Sequence, residues 1–570
     1  MHLKPEQRSV GKDNFYAAVG SEFTRRDFLK GSVAAAATGG VGMGAYYFAY
    51  QKLTDPVRVG IIGTGDEGNV LIGAHTPEYA RVIAIADIRP YNVHRAFHGD
   101  ADALGARPGL MSKYGWKTED DARKEVTVYT DYHELLANPD IEGVIIALPL
   151  HLHAKVAIEA MKAGKHVLTE KLMAHSVHEC KEMGRVSKEL NKLLATGHQR
   201  HYSILYDNAT ETIKQGLIGD IHHIRAQWHR ERDTWLADLP GEKLEKELEE
   251  FRKKLVDAKG SRFDDVSRKI RSIEAKLLDK ALTDSDAAAY GYQENKLTDA
   301  NGKVIYTCSP LEELIRWRLW NRTGGGLMAE LGSHQLDASS IFVSAEWARA
   351  GKGKVKVMPL AVVGVGGRHL YEANRDCEDH VYCSFEFPGP GYYQDYEQLT
   401  IGDPNKRIVV TYSSINGNGF GGYGEIVMGT NGTLTLEGEK EVLLYKGNDL
   451  SSNVEVTKSK AGAPALATHE SGAPAQAVSD GKAALGGPPP SRGYTEEIEH
   501  WAWCIRNPGD SDKPNLPRCH PKVAMADAII AHVSNMAMRQ EKRIEFKPAW
   551  FDIDSDETPE EIKPDVTRYS

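Results

Sequence analysis

The stretch VRVGIIGTGDEG, Val57–Gly68, decides the fold of the first half of the chain. Its apolar run leads directly into the spacing Gly63-x-Gly65-x-x-Gly68, and the following LIGAH begins a helix. Nineteen residues after Gly68, Asp87 ends the next apolar run. Glycines in such a turn let a pyrophosphate approach the backbone at a helix N-terminus, and an acid at this distance binds a ribose. The stretch therefore predicts a dinucleotide-binding domain.

The residues around this turn bear on which dinucleotide is bound. We count Thr64, between the first two glycines, among the predicted cofactor contacts. The carboxylate of Asp87 would repel the 2′-phosphate of NADP, so NAD is the favoured cofactor, whereas Arg89 could hold that phosphate and keeps NADP as the alternative. Asp66 and Glu67 suit a pyrophosphate site only if their side chains turn away from it.

The order of apolar patterns along the 570 residues predicts two domains. Residues 55–200 alternate short apolar runs with helical stretches, which is typical of βαβ units on a parallel sheet. After residue 340 the apolar period becomes two, which indicates antiparallel strands. We predict an α/β protein with an N-terminal Rossmann domain (55–200). It is followed by a C-terminal α+β domain (201–545), which has a large, mostly antiparallel open sheet. Residues 546–570 form a tail.

Two insertions interrupt the second domain. Residues 241–280 repeat apolar positions at helical spacing on both sides of Lys259-Gly260, which predicts an amphipathic helical hairpin. The hairpin is interpreted as a solvated decoration, a subunit contact or a lid over the active site. Residues 459–493 are rich in Ala, Gly, Pro and Ser, and we predict a disordered loop there.

The segment SEFTRRDFLK, Ser21–Lys30, resembles a twin-arginine (Tat) export signal, with Arg25 and Arg26 ahead of a weakly apolar run. We assign residues 1–54 to this signal and a linker. The resemblance implies that the Tat machinery carries the folded chain to the periplasm or another extracytoplasmic space. Retention of the segment as an N-terminal membrane anchor is the alternative.

The net charge and the cysteine spacing argue against nucleic-acid binding and against a cysteine-based metal motif. A net charge of −10 with no basic stripe argues against nucleic acid as a partner. The six cysteines form no CxxC pair and no metal-ligand spacing, although Cys377 and Cys383 could pair in an oxidising compartment. His198 and His201 are interpreted as residues of a turn, and we expect no catalytic metal.

Four further motifs follow in order: LPLHLHAK (148–155), VLTEKLMA (167–174), TGHQRHYS (196–203) and WRLWNRTGGGLMAELGSHQLD (317–337). Together with the glycine turn they resemble the Gfo/Idh/MocA oxidoreductases, which act on sugars and polyols. Glu170-Lys171 matches the family's Glu-Lys-Pro motif, with Leu172 in place of the proline. Glu330 stands where the family has an aspartate four residues before a histidine, here His334.

The resemblance also implies contacts in the cofactor and substrate cleft. The predicted cofactor contacts outside the glycine turn are Leu148, His153, Glu170, Lys171 and Gln199. The predicted substrate contacts are Arg200, Tyr202, Trp317, Arg318 and Asp337.

The chemistry of hydride transfer assigns roles to three residues. Oxidation of a carbinol needs a base for the hydroxyl proton, and a lysine serves if a cationic nicotinamide and a desolvated cleft lower its pKa. Lys171 follows a predicted parallel strand, at the edge of the sheet where such folds bind ligands. His334 could share the substrate oxygen or act as the base itself, and Glu330 could orient it.

These observations predict an exported NAD-dependent oxidoreductase that acts on a sugar, glycoside or polyol with a tightly bound, recycled cofactor. The first alternative is redox-neutral glycoside cleavage by an NAD-dependent hydrolase or lyase. The second is a non-catalytic binding protein that retains the fold. By analogy with the family we expect a homo-oligomer, a dimer or a tetramer.

Overall fold

A computed structural model describes residues 3–21, 53–231, 235–351, 356–459, 462–469, 475–484 and 492–569. The predicted export signal and the possible membrane anchor lie outside these residues. The described chain begins with helix α1 (Pro5–Val19), whose Phe15 and Ala18 are buried against the second domain. In the described part of the chain, no helix combines the length and the apolar character needed to cross a membrane.

The first domain is built on a six-stranded parallel sheet, as predicted. Its strand order is β3-β2-β1-β4-β5-β6, the doubly wound order of dinucleotide-binding domains. The strands are β1 (Val57–Ile62), β2 (Ala80–Ala86), β3 (Thr127–Tyr129), β4 (Gly143–Ile146), β5 (His166–Glu170) and β6 (Leu194–Gly197). The helices of this domain are α2 (Asp66–Ala74), α3 (Pro90–His98), α4 (Gly109–Tyr114), α5 (Glu119–Glu125), α6 (Tyr132–Ala137), α7 (His153–Lys162) and α8 (Val177–Leu190).

The second domain is built on an eight-stranded mixed sheet in the order β17-β16-β15-β7-β14-β11-β10-β22. The strands after the first domain are β7 (Ile221–Arg230), β8 (Asn295–Thr298), β9 (Val304–Cys308), β10 (Ala361–Gly367), β11 (His380–Pro388), β12 (Tyr393–Asp395), β13 (Thr400–Ile401), β14 (Arg407–Asn416), β15 (Tyr423–Gly429), β16 (Gly432–Glu437), β17 (Glu441–Lys446), β18 (Asn453–Lys458), β19 (Pro464–His469), β20 (Gly509–Asp510), β21 (Lys513–Pro514) and β22 (Ile544–Glu545). Only the pairing of β7 with β14 is parallel in this sheet, which makes it mostly antiparallel.

The helices that follow the first domain include those that pack on this sheet and carry part of the site. They are α9 (Ile204–Lys214), α10 (Glu242–Val256), α11 (Ser261–Leu277), α12 (Asp284–Ala289), α13 (Pro310–Ile315), α14 (Asn321–Gly324), α15 (Ser333–Arg349), α16 (Ala475–Ala484), α17 (Tyr494–Arg506) and α18 (Pro521–Gln540). The predicted helical hairpin is present as α10 and α11, which bury Leu244, Val266 and Ile273 between them.

The predicted domain boundary needs one correction. We assigned residues 201–545 to the second domain, but α17 packs in the core of the first, where Ile498 and Trp501 are buried. Trp501 lies on Gly143 of β4, so closely that a Cβ there would be 2.7 Å from its ring. A long-range contact of this kind leaves no local sequence signal.

The prediction of a disordered loop over 459–493 was wrong for the parts that the structure describes. Strand β19 pairs with β18, and α16 packs on α1. A Cβ on Gly481 would lie 2.0 Å from the carbonyl oxygen of Tyr16. The small residues that suggested a disordered loop therefore allow α16 to pack closely on α1. All six cysteines are free and buried, which also rules out a Cys377–Cys383 disulfide in this structure.

Candidate active site

A cleft of about 1540 Å³ lies where the carboxyl ends of the first domain's strands face the second domain. Its walls include the glycine turn, the end of β5, the end of β7 and the start of α15. The end of the helical-hairpin insertion and the residues after it also contribute, from Lys276 to Tyr292. Open α/β sheets bind their ligands at this edge.

The glycine turn forms a cradle at the N-terminus of α2. Gly63 has φ +87° and lies so close to the backbone that a Cβ would be 2.4 Å from the carbonyl oxygen of Ala147. A Cβ on Gly68 would lie 2.2 Å from the carbonyl oxygen of Gly63, which explains the third glycine. Gly65 instead opens on the cleft, where a Cβ would meet only Asn92 at 3.9 Å. Backbone N–H groups at this helix start suit a pyrophosphate.

Asp87 lies at the end of β2 and is held by hydrogen bonds from its surroundings. Its carboxylate accepts from the backbone N–H of Thr64 at 2.7 Å, from that of Arg89 at 2.9 Å and from the amide of Asn92 at 3.0 Å. Burial raises the pKa of Asp87 despite these donors. Thr64 is itself buried and meets the cleft only through this network.

Arg89 is engaged by the insertion. Its guanidinium contacts Asp279 Oδ2 at 2.8 Å through both Nε and Nη2. The other oxygen of Asp279 accepts from the backbone N–H of Tyr91 at 3.0 Å, and the Asp279 side chain is only 2% exposed. Arg89 is therefore neutralised by a partner that sequence reasoning did not identify.

The two acids of the glycine turn adopt different arrangements. Asp66 turns toward Arg95 at 2.7 Å. Desolvation in the cleft opposes ionisation, but Arg95, Arg318 and Arg107 outweigh it and hold the pKa of Asp66 far below its usual value. Glu67 lies half-buried in the cleft wall, and desolvation there raises its pKa. The negative charge of Asp66 is therefore offset by an arginine partner.

Lys171 follows β5 directly and opens on the cleft beside Glu330. Its Nζ donates to the carbonyl oxygen of Glu330 at 3.0 Å, and its backbone N–H donates to Glu170 Oε2 at 3.1 Å. The peptide bond between Lys171 and Leu172 is cis, although leucine replaces the family's proline. Burial and the neighbouring Glu67 raise the pKa of Glu170 to about 8.

Glu330 and His334 come from one continuous helical segment. Glu330 lies in a π-helical turn, Met328–Gly332, that leads into α15. Its carboxylate accepts from Arg318 Nε at 3.3 Å; burial would raise the pKa of Glu330, but Arg318 and Lys171 outweigh it and lower the pKa. Among the described contacts no hydrogen bond joins Glu330 to His334, whose Nδ1 has no hydrogen-bond partner. The predicted orienting role of Glu330 is therefore not supported by this geometry.

His334 faces an aromatic platform in the cleft. The Trp228 ring lies 5.4 Å from the His334 ring and stacks on Tyr423 at 4.3 Å. Burial, reinforced by Lys171 and Arg200, holds the pKa of His334 well below its usual value. A neutral imidazole can accept a proton, as a base requires.

Several predicted residues lie behind the cleft rather than in its wall. His153 has both ring nitrogens 2.8 Å from carbonyl oxygens, of Leu172 and Leu148, so it ties two loops together. Gln199 and Arg200 are buried and bond to Glu439. The Tyr202 hydroxyl contacts His500 and the backbone N–H of Arg518, and Asp337 contacts His201 and Lys356. The structure does not place these five predicted contacts in the cleft wall, because buried partners hold them behind it.

Apart from Thr64 and Gly68, which lie in the glycine turn but not in the cleft wall, the remaining predicted contacts reach the cleft. The wall includes Gly63, Gly65, Asp87, Arg89, Leu148, Glu170, Lys171, Trp317, Arg318, Glu330 and His334. It also includes residues that sequence reasoning missed, namely Trp228, Arg230, Tyr292 and Tyr494. Trp228 and Arg230 end a strand at a spacing of two, which places them on one face of it and was the available signal.

The comparisons with known proteins match the first domain and the export signal. Residues 57–198 match the Gfo/Idh/MocA family, described as "Oxidoreductase family, NAD-binding Rossmann fold", and residues 22–42 match the twin-arginine signal sequence. The family model thus matches the first domain, at the residues where the sequence resembles the Gfo/Idh/MocA oxidoreductases. The matched signal implies export to the periplasm or another extracytoplasmic space.

Individual relatives match only part of the chain. The inositol 2-dehydrogenase/D-chiro-inositol 3-dehydrogenase of Lactiplantibacillus plantarum is 29% identical over 28% of this chain and 41% of its own. A glycosyl hydrolase family 109 protein of a Shewanella species is 28% identical over 31% of this chain and 36% of its own. The chain thus spans less than half the length of these curated relatives.

One solved structure has a similar overall fold. The WlbA dehydrogenase of Bordetella pertussis, solved with NADH and UDP-GlcNAcA, aligns with a TM-score of 0.50 at 14% identity. The alignment covers 87% of this chain and 99% of that one. This likeness concerns the fold alone.

Proposed function

We propose that this protein is an exported, NAD-dependent oxidoreductase that oxidises or reduces a hydroxyl-bearing carbon of a sugar, glycoside or polyol. The observation that carries the proposal is the meeting of Lys171, Glu330 and His334 in the wall that also holds the glycine cradle. Bound at this cradle, the nicotinamide would supply the hydride acceptor or donor.

The chain's own residues then handle the proton. The Lys171 amine and the low-pKa His334 imidazole face the cleft, where either can take the hydroxyl proton during oxidation and return it during reduction. The Lys171 Nζ is oriented by the carbonyl oxygen of Glu330. Trp228 offers an aromatic face beside His334 for the apolar face of a sugar ring.

We further propose NAD rather than NADP. A 2′-phosphate would meet the carboxylate of Asp87, and Arg89, the one nearby cation singled out by the sequence, is already paired with Asp279. Removal of the Asp87 carboxylate would also remove its repulsion of that phosphate.

The chain that crosses the cofactor side of the cleft supports the proposal that the cofactor stays bound. We call residues 272–292 the strap. At one end Ser272 Oγ donates to Asp102 at 2.6 Å and Asp279 binds Arg89. At the other end the buried Tyr292 packs edge-on against His151, 5.5 Å between rings. The strap thus crosses the cofactor side of the cleft, which supports slow release.

Redox-neutral glycoside cleavage is the second candidate. In that cycle a ring carbon is oxidised, the aglycone is eliminated, water is added and the carbon is reduced, so no external cofactor is consumed. The partial likeness to a glycosyl hydrolase family 109 protein favours it, as does a cleft with several acid–base groups. Release of an aglycone without net change in bound NADH would distinguish it from the first candidate.

Replacement of the proposed base tests the function. We expect Lys171→Met to lower the rate of bound-nicotinamide reduction by sugars about 10²- to 10⁴-fold, the usual contribution of a general base. Cofactor content should stay at the wild-type level, because the cradle is unchanged. Lys155→Met, which alters another lysine of the cleft wall, is the matched control. A Lys171→Met rate equal to that of the control would refute the proposed role.

A further inference from the structure

A buried cluster of potential metal ligands lies behind the active site, between the two domains. His198 follows β6 of the first domain, Asp337 lies in α15, and Cys519 and Asp527 lie before and within α18. One donor atom from each of His198, Cys519 and Asp527 lies within 4.8 Å of the other two. These three residues supply a nitrogen, a sulfur and an oxygen, the donor set that zinc accepts in proteins.

The polar atoms of this cluster lack the partners that buried groups normally have. The His198 side chain is fully buried, and neither ring nitrogen has a hydrogen-bond partner. Oδ2 of Asp337 and Oδ2 of Asp527 are also without one. Unsatisfied groups of this kind are costly in a protein interior, so the cluster calls for an additional bound species.

In both Asp337 and Asp527, Oδ1 has a charged or hydrogen-bonding partner and Oδ2 has no hydrogen-bond partner. Lys356 Nζ lies 2.7 Å from Asp527 Oδ1 and 3.3 Å from Asp337 Oδ1, and His201 Nε2 lies 2.8 Å from the same Asp337 oxygen. The Oδ2 atoms are left for another ligand, and Asp337 Oδ2 is 3.7 Å from His198 Nδ1. Lys356 places one positive charge beside these two buried carboxylates, and a metal cation at the Oδ2 atoms would add further positive charge.

We propose that His198, Cys519 and Asp527, with Asp337 as the fourth ligand, bind one zinc-class divalent metal ion. Binding displaces the Cys519 thiol proton and any proton shared between the carboxylates, which leave to solvent. His201, which is hydrogen-bonded to Asp337, would fix the orientation of that ligand from outside.

The site is structural, since none of its four ligands lines the cleft. It joins β6 of the first domain to α15 and α18 of the second. Asp337 lies three residues beyond His334 on α15, so the metal would hold the helix that presents His334 to the cleft. The inference does not depend on the proposed reaction.

Metal analysis of the purified full-length protein tests the proposal. After exhaustive dialysis we expect about one zinc per chain by mass spectrometry. Cys519→Ser and Asp527→Asn should lose most of it. Cys504→Ser is the matched control, because Cys504 is also buried beside a histidine, His500 at 3.6 Å, but belongs to no such ligand group among the described residues.

Cobalt substitution gives a signal in the wild-type protein itself, so the test does not depend only on variants that fold stably. Metal-free wild type given Co²⁺ should develop thiolate-to-cobalt absorption that Cys504→Ser retains and that Cys519→Ser or His198→Gln lacks. Folded wild type without zinc and without this absorption would overturn the proposal, and Lys356 with a shared proton would then account for the carboxylates. Equal zinc in wild type and Cys519→Ser would overturn it as well.

Discussion

We expect the rate of cofactor release to depend on one residue of the strap, Asp279. Asp279 binds Arg89 at 2.8 Å and the backbone N–H of Tyr91 at 3.0 Å, in a site where its side chain is 2% exposed. Asp279→Asn keeps the size of the side chain and removes the charge. Hydrogen bonds to charged groups contribute about 1.5–3 kcal/mol each, and each 1.4 kcal/mol is a tenfold change.

We therefore expect Asp279→Asn to speed NADH release about 10- to 100-fold. The assay is stopped-flow fluorescence, with bound NADH chased by excess NAD. Asp257→Asn is the matched control, because Asp257 is an exposed residue of the same insertion at the end of α10. A release rate for Asp279→Asn within twofold of the control, in a folded protein, would refute the idea that the strap retains the cofactor.

Three further predictions concern selectivity, substrate binding and pH. Asp87→Ala should weaken NAD at least about tenfold and strengthen NADP, as titration calorimetry of both would measure; unchanged preference would contradict the assignment. Trp228→Ala should raise KM for a sugar about 2- to 10-fold with little change in kcat, and a change confined to kcat would contradict a stacking role. The pKa of Glu170 is raised from 4.5 to about 8 in the folded protein, so folding favours its protonated form. Its contribution to the free energy of unfolding is therefore complete below pH 4.5 and is lost as the pH rises to 8. Urea unfolding of the apoprotein should thus depend less on pH between 5 and 8 in Glu170→Gln; an unchanged dependence would show that Glu170 does not retain its proton.

Local signals in the sequence were enough to predict the first domain and to bring Lys171 and His334 to the cleft. The glycine turn needs glycine at Gly63 and Gly68 because the backbone leaves no room for a Cβ, so the motif carries its own structural reason. Lys171 could be placed from the end of a parallel strand, and His334 from its motif. In each case, the residue's neighbours in the chain determine its position.

Other parts of the site depend on contacts that the local sequence does not record. Arg200 was expected in the cleft, but Glu425 and Glu439 from the region around β15 and β16 hold it in the interior. The role of Asp279 depends on where the insertion folds back onto Arg89. Helix α16 escaped prediction because its alanines and glycines resemble a linker, although they allow close packing on α1.

The nucleotide carried by the exported protein tests the central claim most directly. The protein would be purified from the extracytoplasmic fraction and denatured, and the released nucleotide identified by chromatography and mass. We predict close to one NAD(H) per chain, since we propose that Asp87 favours NAD and that the strap retains it. NADP(H) in its place would contradict the role given to Asp87, and the absence of any nucleotide would contradict a resident cofactor.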